Sequence, residues 1–445
     1  MKKRKIIILV SSVIALAITL SGCSIKKDED KILSENVISE NLKMISHKLA
    51  QNGANTKDGY YTISTDENGM MNIMYVDYKT KKQIYLCDKS QCEHDNDKCT
   101  SFIDMKYSAR ENTLLSDGKY LYLVSSEFNN KGGISTSINY GTGEVQQEDE
   151  PSSIYRMNLD GSNKKKLASL DSGELLDDKF FTDGNYLYGI AMKKTNIKID
   201  GDTTYTKGDD YQLIGISIED GERKNITDWD NDWTILGVYE DKLIVNKLKF
   251  DHELTDEERM DNEKYIAAYR KAKEIIGIYD FNTKDFEELA SHDASNDYLY
   301  EIYEKNLFYY KNNGDKIMSL DLESKKEEVF LETEYCNIQQ IYNGYIITSD
   351  WKESKKGFYI ISIKDKKIEK FKLIKNNGYP INIIGESDNF FFVESNCQIE
   401  EEYVEWAGVR QTIETNRQYS MISKDDFVNN KKVFEKVEMI VEELN

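Results

Sequence analysis

The most regular segment of the chain is Ile154-Tyr155-Arg156-Met157-Asn158-Leu159-Asp160-Gly161-Ser162-Asn163-Lys164-Lys165-Lys166-Leu167. Apolar and polar residues alternate over its first half, which is the pattern of a β-strand with two different faces. A polar turn containing Asp-Gly follows, and a second strand begins among the lysines. The segment therefore predicts a β-hairpin.

Six further segments repeat this order of strand, polar turn and second strand, and they begin at Met74, Ile214, Ile276, Ile317, Tyr359 and Tyr419. Each is preceded by a different unit, in which a short turn leads into an aromatic and β-branched strand. That unit begins at Asp58, Asp117, Asp183, Asp241, Lys305, Asn343 and Asp388. Two units therefore alternate, seven times each, from residue 58 towards the C-terminus.

Two hairpin units per period make a four-stranded sheet, and a ring of such sheets leaves few exposed sheet edges. We therefore predict an all-β chain with a single β-propeller of seven four-stranded blades over residues 56–445. The first units lie 38 to 66 residues apart, so six or eight blades stay open. A β-sandwich followed by a second all-β domain is a further alternative.

Two helices are predicted outside this pattern. Residues 36–50 carry an apolar stripe at helical spacing, which predicts a short amphipathic helix packed on the body. Residues 255–275 begin with Thr255-Asp256-Glu257-Glu258, a capping-box pattern that predicts a helix inserted in the fourth blade. Polar residues 193–210 predict an inserted hairpin.

The N-terminus has the features of an export signal. Four basic residues at positions 2–5 precede an apolar run from Ile6 to Leu20, shorter than the about 20 residues of a membrane span. The following Leu20-Ser21-Gly22-Cys23 resembles the lipobox of bacterial lipoproteins. That resemblance implies a signal peptide over residues 1–22, cleavage before Cys23 and acyl chains on Cys23. An uncleaved membrane anchor is the alternative.

Residues 23–55 would then be the lipidated N-terminus, a tether and the short helix. Two acyl chains suffice for stable attachment, so we expect the body on the extracytoplasmic face of the cell membrane. Loss of residues 1–22 removes four basic residues and no acid, which changes the net charge from −21 to −25. This acidity argues against nucleic acid as a partner.

The most specific chemical motif is Cys87-x4-Cys92-x-His94-x4-Cys99. Three thiolates and one imidazole would complete the tetrahedral shell of a structural zinc ion. Because exported proteins usually oxidise neighbouring cysteines, a disulfide within this group is an equal alternative, and free or redox-active thiols are a third. Cys336 and Cys397 lie in later blades and are predicted to be small buried residues, with a disulfide between them as a minor alternative.

A weaker motif places carboxylates at Asp228, Asp230 and Asp232, at the alternate positions of a calcium loop. Trp233 stands where such loops have glycine, and Tyr239 where they have a bidentate glutamate. A solvated turn is the other interpretation. His47, His252 and His292 are isolated in sequence and are predicted to be surface residues.

The segment from Ile154 to Lys164 resembles the blade repeat of LDL-receptor-related and TolB-like propellers, and of bacterial extracytoplasmic lipoproteins built on them. This resemblance implies a propeller with a binding role and assigns no catalytic residue. The chain lacks the G-x-S-x-G, H-E-x-x-H, P-loop and G-x-G-x-x-G motifs. The sequence therefore favours a binding or scaffolding module for a protein, glycan or other cell-envelope component. An enzyme acting on polysaccharide or peptide is the alternative, and structural zinc is the only cofactor indicated.

Overall fold

The computed structural model of the 445-residue chain describes residues 42–46, 53–65, 70–103, 112–125, 152–171, 173–199, 203–294, 298–311, 315–335, 337–350, 357–404 and 409–441. The predicted signal peptide, the lipobox-like segment and Cys23 lie outside these residues. Within the described part of the chain, none of the helices has the length and hydropathy that a membrane span requires.

The described strands form seven antiparallel sheets, each with four strands in consecutive order. In the first four blades these strands are β2 (Ala54–Asn55), β3 (Gly59–Thr65), β4 (Met71–Asp77) and β5 (Lys82–Tyr85); β7 (Asn112–Ser116), β8 (Tyr120–Ser125), β9 (Ser153–Asn158) and β10 (Lys165–Ser169); β12 (Phe181–Thr182), β13 (Tyr186–Ile199), β14 (Thr203–Ser217) and β15 (Arg223–Asp228); β16 (Trp233–Tyr239), β17 (Lys242–Lys249), β18 (Lys273–Asp280) and β19 (Asp285–Asp293).

The last three blades are built in the same way, from β20 (Tyr298–Tyr303), β21 (Asn306–Lys311), β22 (Lys316–Asp321) and β23 (Lys326–Glu332); β24 (Asn337–Tyr342), β25 (Tyr345–Asp350), β26 (Gly357–Ser362) and β27 (Ile368–Lys370); β28 (Asn382–Glu386), β29 (Phe390–Val404), β30 (Val409–Ser423) and β31 (Glu435–Lys436). Three short strands extend blades 1 and 3: β1 (Lys43–Met44), β6 (Phe102–Ile103) and β11 (Glu174–Leu176). The prediction of one propeller with seven four-stranded blades is confirmed.

The hydrophobic core is divided among the interfaces between blades. Seven buried clusters occur among the described residues, and each combines side chains from two neighbouring blades. The ring closes between blades 7 and 1, where Phe392 lies 5.8 Å from Tyr60 and 6.0 Å from Tyr78, measured between ring centroids. Aromatic and β-branched strand residues are thus used to pack sheet against sheet.

The chain also closes the ring at its C-terminus. The backbone N–H of Gln83 in β5 donates to the carbonyl of Glu438, and the N–H of Glu438 donates to Lys81. The buried side-chain oxygen of Gln83 accepts from the N–H groups of Ile440 and Val441 at 2.9 and 3.0 Å. The C-terminal residues thus run beside the outer strand of blade 1 and tie it to blade 7.

The two sides of the propeller differ. One side, here called the turn face, carries the short first-to-second-strand turns, such as residues 117–119 and 183–185. The opposite side, the loop face, carries the second-to-third-strand connections. Three described insertions start there: the β13–β14 and β29–β30 hairpins, and the helices α1 (Asp256–Met260) and α2 (Asn262–Tyr269).

The inserted elements agree with the predictions made from the sequence, except in how the inserted helix is divided and where it ends. Residues 193–199 and 203–209 pair as the two strands of the predicted hairpin. Thr255 makes the predicted capping box with Glu258. The helix predicted over residues 255–275 is divided at Asp261, whose carboxylate caps α2. The predicted C-terminal end of the helix is wrong, because β18 begins at Lys273 to pair with β17. A third helix, α3 (Lys424–Val428), follows β30.

The prediction of an N-terminal helix over residues 36–50 is wrong for residues 43–44, which form β1. Residues 36–41 and 47–50 lie outside the described part of the chain. The strand β1 pairs with the innermost strand of blade 3, and the N–H of Ile45 donates to the carbonyl of Phe180. Leu42 is buried in the core between blades 3 and 4. The open inner edge of β12 therefore supplies backbone hydrogen bonds that favour extended chain over helix here.

Candidate metal centre

The Cys-His motif lies in an interruption of the outer strand of blade 1. Strands β5 and β6 both pair with β4, at its second and its first half respectively. The residues between them, 86–101, leave the sheet and return to it. Both ends are fixed on Ile73, whose carbonyl accepts from Leu86 and whose N–H donates to Ser101. The motif is therefore held in a loop with a rigid base.

The four predicted ligands come together in this loop. The sulfur atoms of Cys87, Cys92 and Cys99 and a ring nitrogen of His94 all lie within 4.8 Å of one another. Nδ1 of His94 lies 3.2 Å from the sulfur of Cys99. All three cysteines are free thiols in the structure. Residues up to twelve positions apart in sequence thus share one small volume, as metal ligands must.

Local backbone structure explains how the loop gathers these side chains. Gln91 and His94 both have left-handed backbone conformations, with φ of 61° and 59°, which turn the chain sharply around Cys92. The His94 ring stacks on Tyr85 of β5 with a centroid distance of 4.1 Å. The stacking holds the imidazole in place before any ion binds.

Cys99 is the buried member of the group, and the other three are half-buried. Its sulfur lies 3.0 Å from the hydroxyl of Ser101, which donates to the side-chain oxygen of Asn72 at 2.8 Å. Both of these polar residues are buried. They form an outer layer that orients the cysteine, as the surroundings of metal ligands commonly do.

The protonation states of Cys87 and His94 suit a cation. Burial raises the pKa of Cys87, but hydrogen bonds from the Lys89 backbone, Cys99 and Thr100 outweigh it and lower the pKa to about 7. Burial lowers the pKa of His94, against the opposing effect of Asp95. A thiolate and a neutral imidazole are therefore accessible near neutral pH, and these are the forms that bind metals.

A second group that could hold an ion lies on blade 7, and the sequence did not indicate it. Oxygen atoms of Glu394 and Glu414 and the sulfur of Cys397 lie within 4.8 Å of one another. A cation is already present, because the ammonium of Lys375 lies 2.7 Å from Glu394 and 3.7 Å from Glu414. Cys397 is buried as predicted, although its neighbours are charged instead of apolar.

The structure does not bring the calcium candidates together. Asp228, Asp230 and Asp232 do not form a group of converging carboxylates among the described residues. Both carboxylate oxygens of Asp232 accept from Arg259 of α1, at 2.9 and 2.8 Å. That oxygen pair is thus used to hold the inserted helix on blade 4.

The remaining histidines and cysteine have different positions. His252 is half exposed, as predicted. His292 is largely enclosed, with 15% of its side chain exposed, because it packs beside Tyr309 in the next blade, so its prediction as a surface residue was wrong. His47 and Cys336 lie outside the described residues.

No protein-family profile matches this sequence, and no curated protein matches it either. Solved structures with low sequence identity to this chain share part of its architecture. An oligogalacturonate lyase in complex with manganese is 11% identical over 74% of this chain and 78% of its own, with a TM-score of 0.42. A prolyl endopeptidase is 10% identical over 89% of this chain and 50% of its own, with a TM-score of 0.49. TolB from Acinetobacter baumannii is 10% identical over 84% of this chain and 76% of its own, with a TM-score of 0.32. These similarities concern the fold alone and extend to no activity or ligand.

Proposed function

We propose that this chain is a lipid-anchored, extracytoplasmic binding or scaffolding module that presents the loop face of its propeller to a protein or another cell-envelope component. The observation that carries the proposal is that the two faces of the propeller differ in what they carry. The described insertions start from the loop face, and the chain enters the ring from the turn face. Connecting loops on a rigid scaffold are the usual location of binding residues.

The entry point of the chain is defined by two contacts. The ammonium of Lys43 donates to the carbonyl of Asp117 at 2.9 Å, and the N–H of Leu42 lies 3.5 Å from an oxygen of Asp241. Asp117 and Asp241 both belong to first-to-second-strand turns, which define the turn face. A tether that leads from Cys23 to Leu42 would therefore join the lipid to the turn face and leave the loop face available.

Site-specific photo-crosslinking in the producing cells tests the binding surface. A benzoylphenylalanine at Ile266 or Ile399, which are 39% and 44% exposed in loop-face insertions, should give adducts of defined mass. The matched controls are Lys79 and Asn282, exposed in third-to-fourth-strand turns, which lie on the same side as the first-to-second-strand turns because neighbouring strands are antiparallel. They should give none. Equal adducts from both faces, or none from the loop face, would overturn the proposal.

The lipid anchor has its own test. The variant Cys23→Ala should lose labelling by a fatty-acid analogue and either accumulate as precursor or be released from the membrane. Labelling that persists in this variant would rule out Cys23 as the lipid site. The variant Cys397→Ala, which changes a buried free cysteine, is the control for labelling of other thiols.

We further propose that the Cys87, Cys92, His94 and Cys99 group binds zinc as a structural ion. Thiolate and imidazole ligands favour zinc over hard cations such as calcium or magnesium. Four protein ligands leave no position for a substrate or a reactive water, which distinguishes a structural centre from a catalytic one. The ion would close the 86–101 loop over the interrupted outer strand and so rigidify the rim of blade 1.

A further inference from the structure

A cavity of about 360 Å³ lies on blade 7, apart from the metal centre. One wall is the connection from blade 6, at Ile374 and Asn376, and another is formed by β29 and β30, at Asn396 and Gln418. The C-terminal residues 432–436 supply the third wall. Its volume is at the lower end of the range typical of small-molecule sites, about 300 to 1,000 Å³.

The C-terminal wall places two lysines at the cavity. Lys432, Phe434 and Lys436 line it in alternation. The intervening charged residue Glu435 pairs with Lys81 of blade 1 at 2.5 Å. Neighbouring Lys431 pairs with Asp426 at 3.7 Å. Lys432 and Lys436 form no ion pair with any residue of the described ranges, so two cations border the cavity in a chain of net charge −21.

The rest of the lining offers neutral hydrogen-bonding groups and two apolar surfaces. The backbone N–H of Asn376 donates to the side-chain oxygen of Asn396 at 2.9 Å, which leaves the Asn396 NH₂ group available to a ligand. Gln418 lines the strand side, and Ile374 and Phe434 provide apolar contact. Amide groups, one aromatic ring and two ammonium groups together suit a small polar molecule that carries an acid.

A buried ion pair holds these walls together. Lys375 lies between two lining residues, and its ammonium contacts Glu394, which directly precedes the lining residue Ser395. Only 2% of the Lys375 side chain and 5% of the Glu394 side chain are exposed. Because the ion pair fixes the connection from blade 6 to β29, the cavity keeps its shape without ligand, which lowers the entropic cost of binding.

We infer that this cavity binds a small polar molecule bearing one acidic group, a carboxylate or a phosphate. The inference does not rest on the proposed loop-face partner or on the zinc centre. The acidic group would contact Lys432 and Lys436, and the polar body of the molecule would lie against Asn376, Asn396 and Gln418.

Calorimetric titration of the full chain with two matched pairs of probes tests this inference. The first pair is N-acetylmuramic acid and N-acetylglucosamine, which differ by a carboxylate-bearing group. The second is glucose 6-phosphate and glucose, which differ by a phosphate. At least one acidic probe should bind more tightly than its neutral partner, and the pair that responds distinguishes carboxylate from phosphate.

The variant Lys436→Ala should weaken binding of the preferred acid roughly tenfold, the value of one charge-assisted hydrogen bond. The control Lys431→Ala removes the same charge outside the cavity and should leave binding unchanged. A thermal unfolding midpoint equal to that of the parent shows that each variant is folded. The inference is overturned if neither acid binds better than its neutral partner, or if both variants lose the same affinity.

Discussion

The carboxylate of Asp117 accepts a hydrogen bond of 2.7 Å from the hydroxyl of Tyr122, across the first turn of blade 2. Its other oxygen accepts from the N–H groups of Lys119 and Tyr120. Asp183 and Tyr188 make the same contact in blade 3 at 2.8 Å. The Asp-Gly-x-Tyr-x-Tyr repeat in the sequence is therefore a turn whose aspartate caps three donors.

Breaking this contact should destabilise the fold. Tyr188→Phe removes one hydrogen bond and should lower the free energy of unfolding by about 1–2 kcal/mol, measured by urea titration. Asp183→Ala removes the three hydrogen bonds that Asp183 accepts, so it should lower the free energy of unfolding more than Tyr188→Phe does. Asp388→Ala is the control, because in the equivalent turn of blade 7 Ser387 accepts from the N–H of Phe390 and the Asp388 side chain bonds to no described residue. Equal losses in the two aspartate variants would contradict this role.

Gln83 should be required for ring closure. Gln83→Ala leaves the N–H groups of Ile440 and Val441 without their acceptor, and each lost bond is worth about 1 kcal/mol. We expect a lower urea midpoint and faster proteolysis of the C-terminal residues, followed by mass spectrometry. The exposed Gln398→Ala is the control. Unchanged protection of the C-terminus in Gln83→Ala would argue against this closure.

The buried pair on blade 7 should show strong coupling. Lys375→Met alone leaves Glu394 without its cation and should cost about 3–5 kcal/mol of unfolding free energy. Lys375→Met combined with Glu394→Leu should cost less than the sum of the single changes. The partly exposed pair Lys81–Glu435 should show coupling below about 1 kcal/mol. Additive losses at Lys375 and Glu394 would show that the contact contributes little.

Lys247 should titrate unusually early. Its ammonium lies 3.4 Å from the ring centroid of Trp233 and 3.2 Å from that of Phe286. Burial lowers the pKa of Lys247 from 10.5 to about 8, although Asp230 opposes the shift. Competitive acetylation followed by peptide mass spectrometry should give a midpoint near pH 8.

The sign of the stability effect follows from this shift. Between pH 8 and 10.5 the unfolded chain keeps a proton that the folded chain has released, so this residue makes stability rise with pH in that window. In Phe286→Ala the amine should be more exposed and its midpoint should move towards 10.5. A parent midpoint above pH 10 would contradict the buried environment of Lys247.

The blades were predictable because their information is local. Each hairpin is specified by its own turn and by alternation within a few residues, as between Ile154 and Leu167. The Cys-His group was predictable for the same reason, since its four ligands fall within one connection. The start of β18 at Lys273 could not be predicted in this way, because it depends on pairing with β17.

Other features depend on residues far apart in the chain. The strand β1 replaces a predicted helix because an edge of blade 3 lies open beside it, which no local pattern reveals. The cluster of Lys375, Glu394 and Glu414 draws on a connection and two strands, and none of these residues stands in a motif. The cavity beside it likewise requires the C-terminal residues to return to blade 7.

Metal analysis of the purified chain by plasma mass spectrometry, with free thiols counted under denaturing conditions, tests the zinc centre most directly. We predict near-stoichiometric zinc that is lost in Cys92→Ser and retained in Cys397→Ser, the control at a free cysteine outside the loop. All three loop cysteines should count as thiols after the metal is removed. Absence of metal together with the loss of one thiol pair would instead mean a disulfide among Cys87, Cys92 and Cys99.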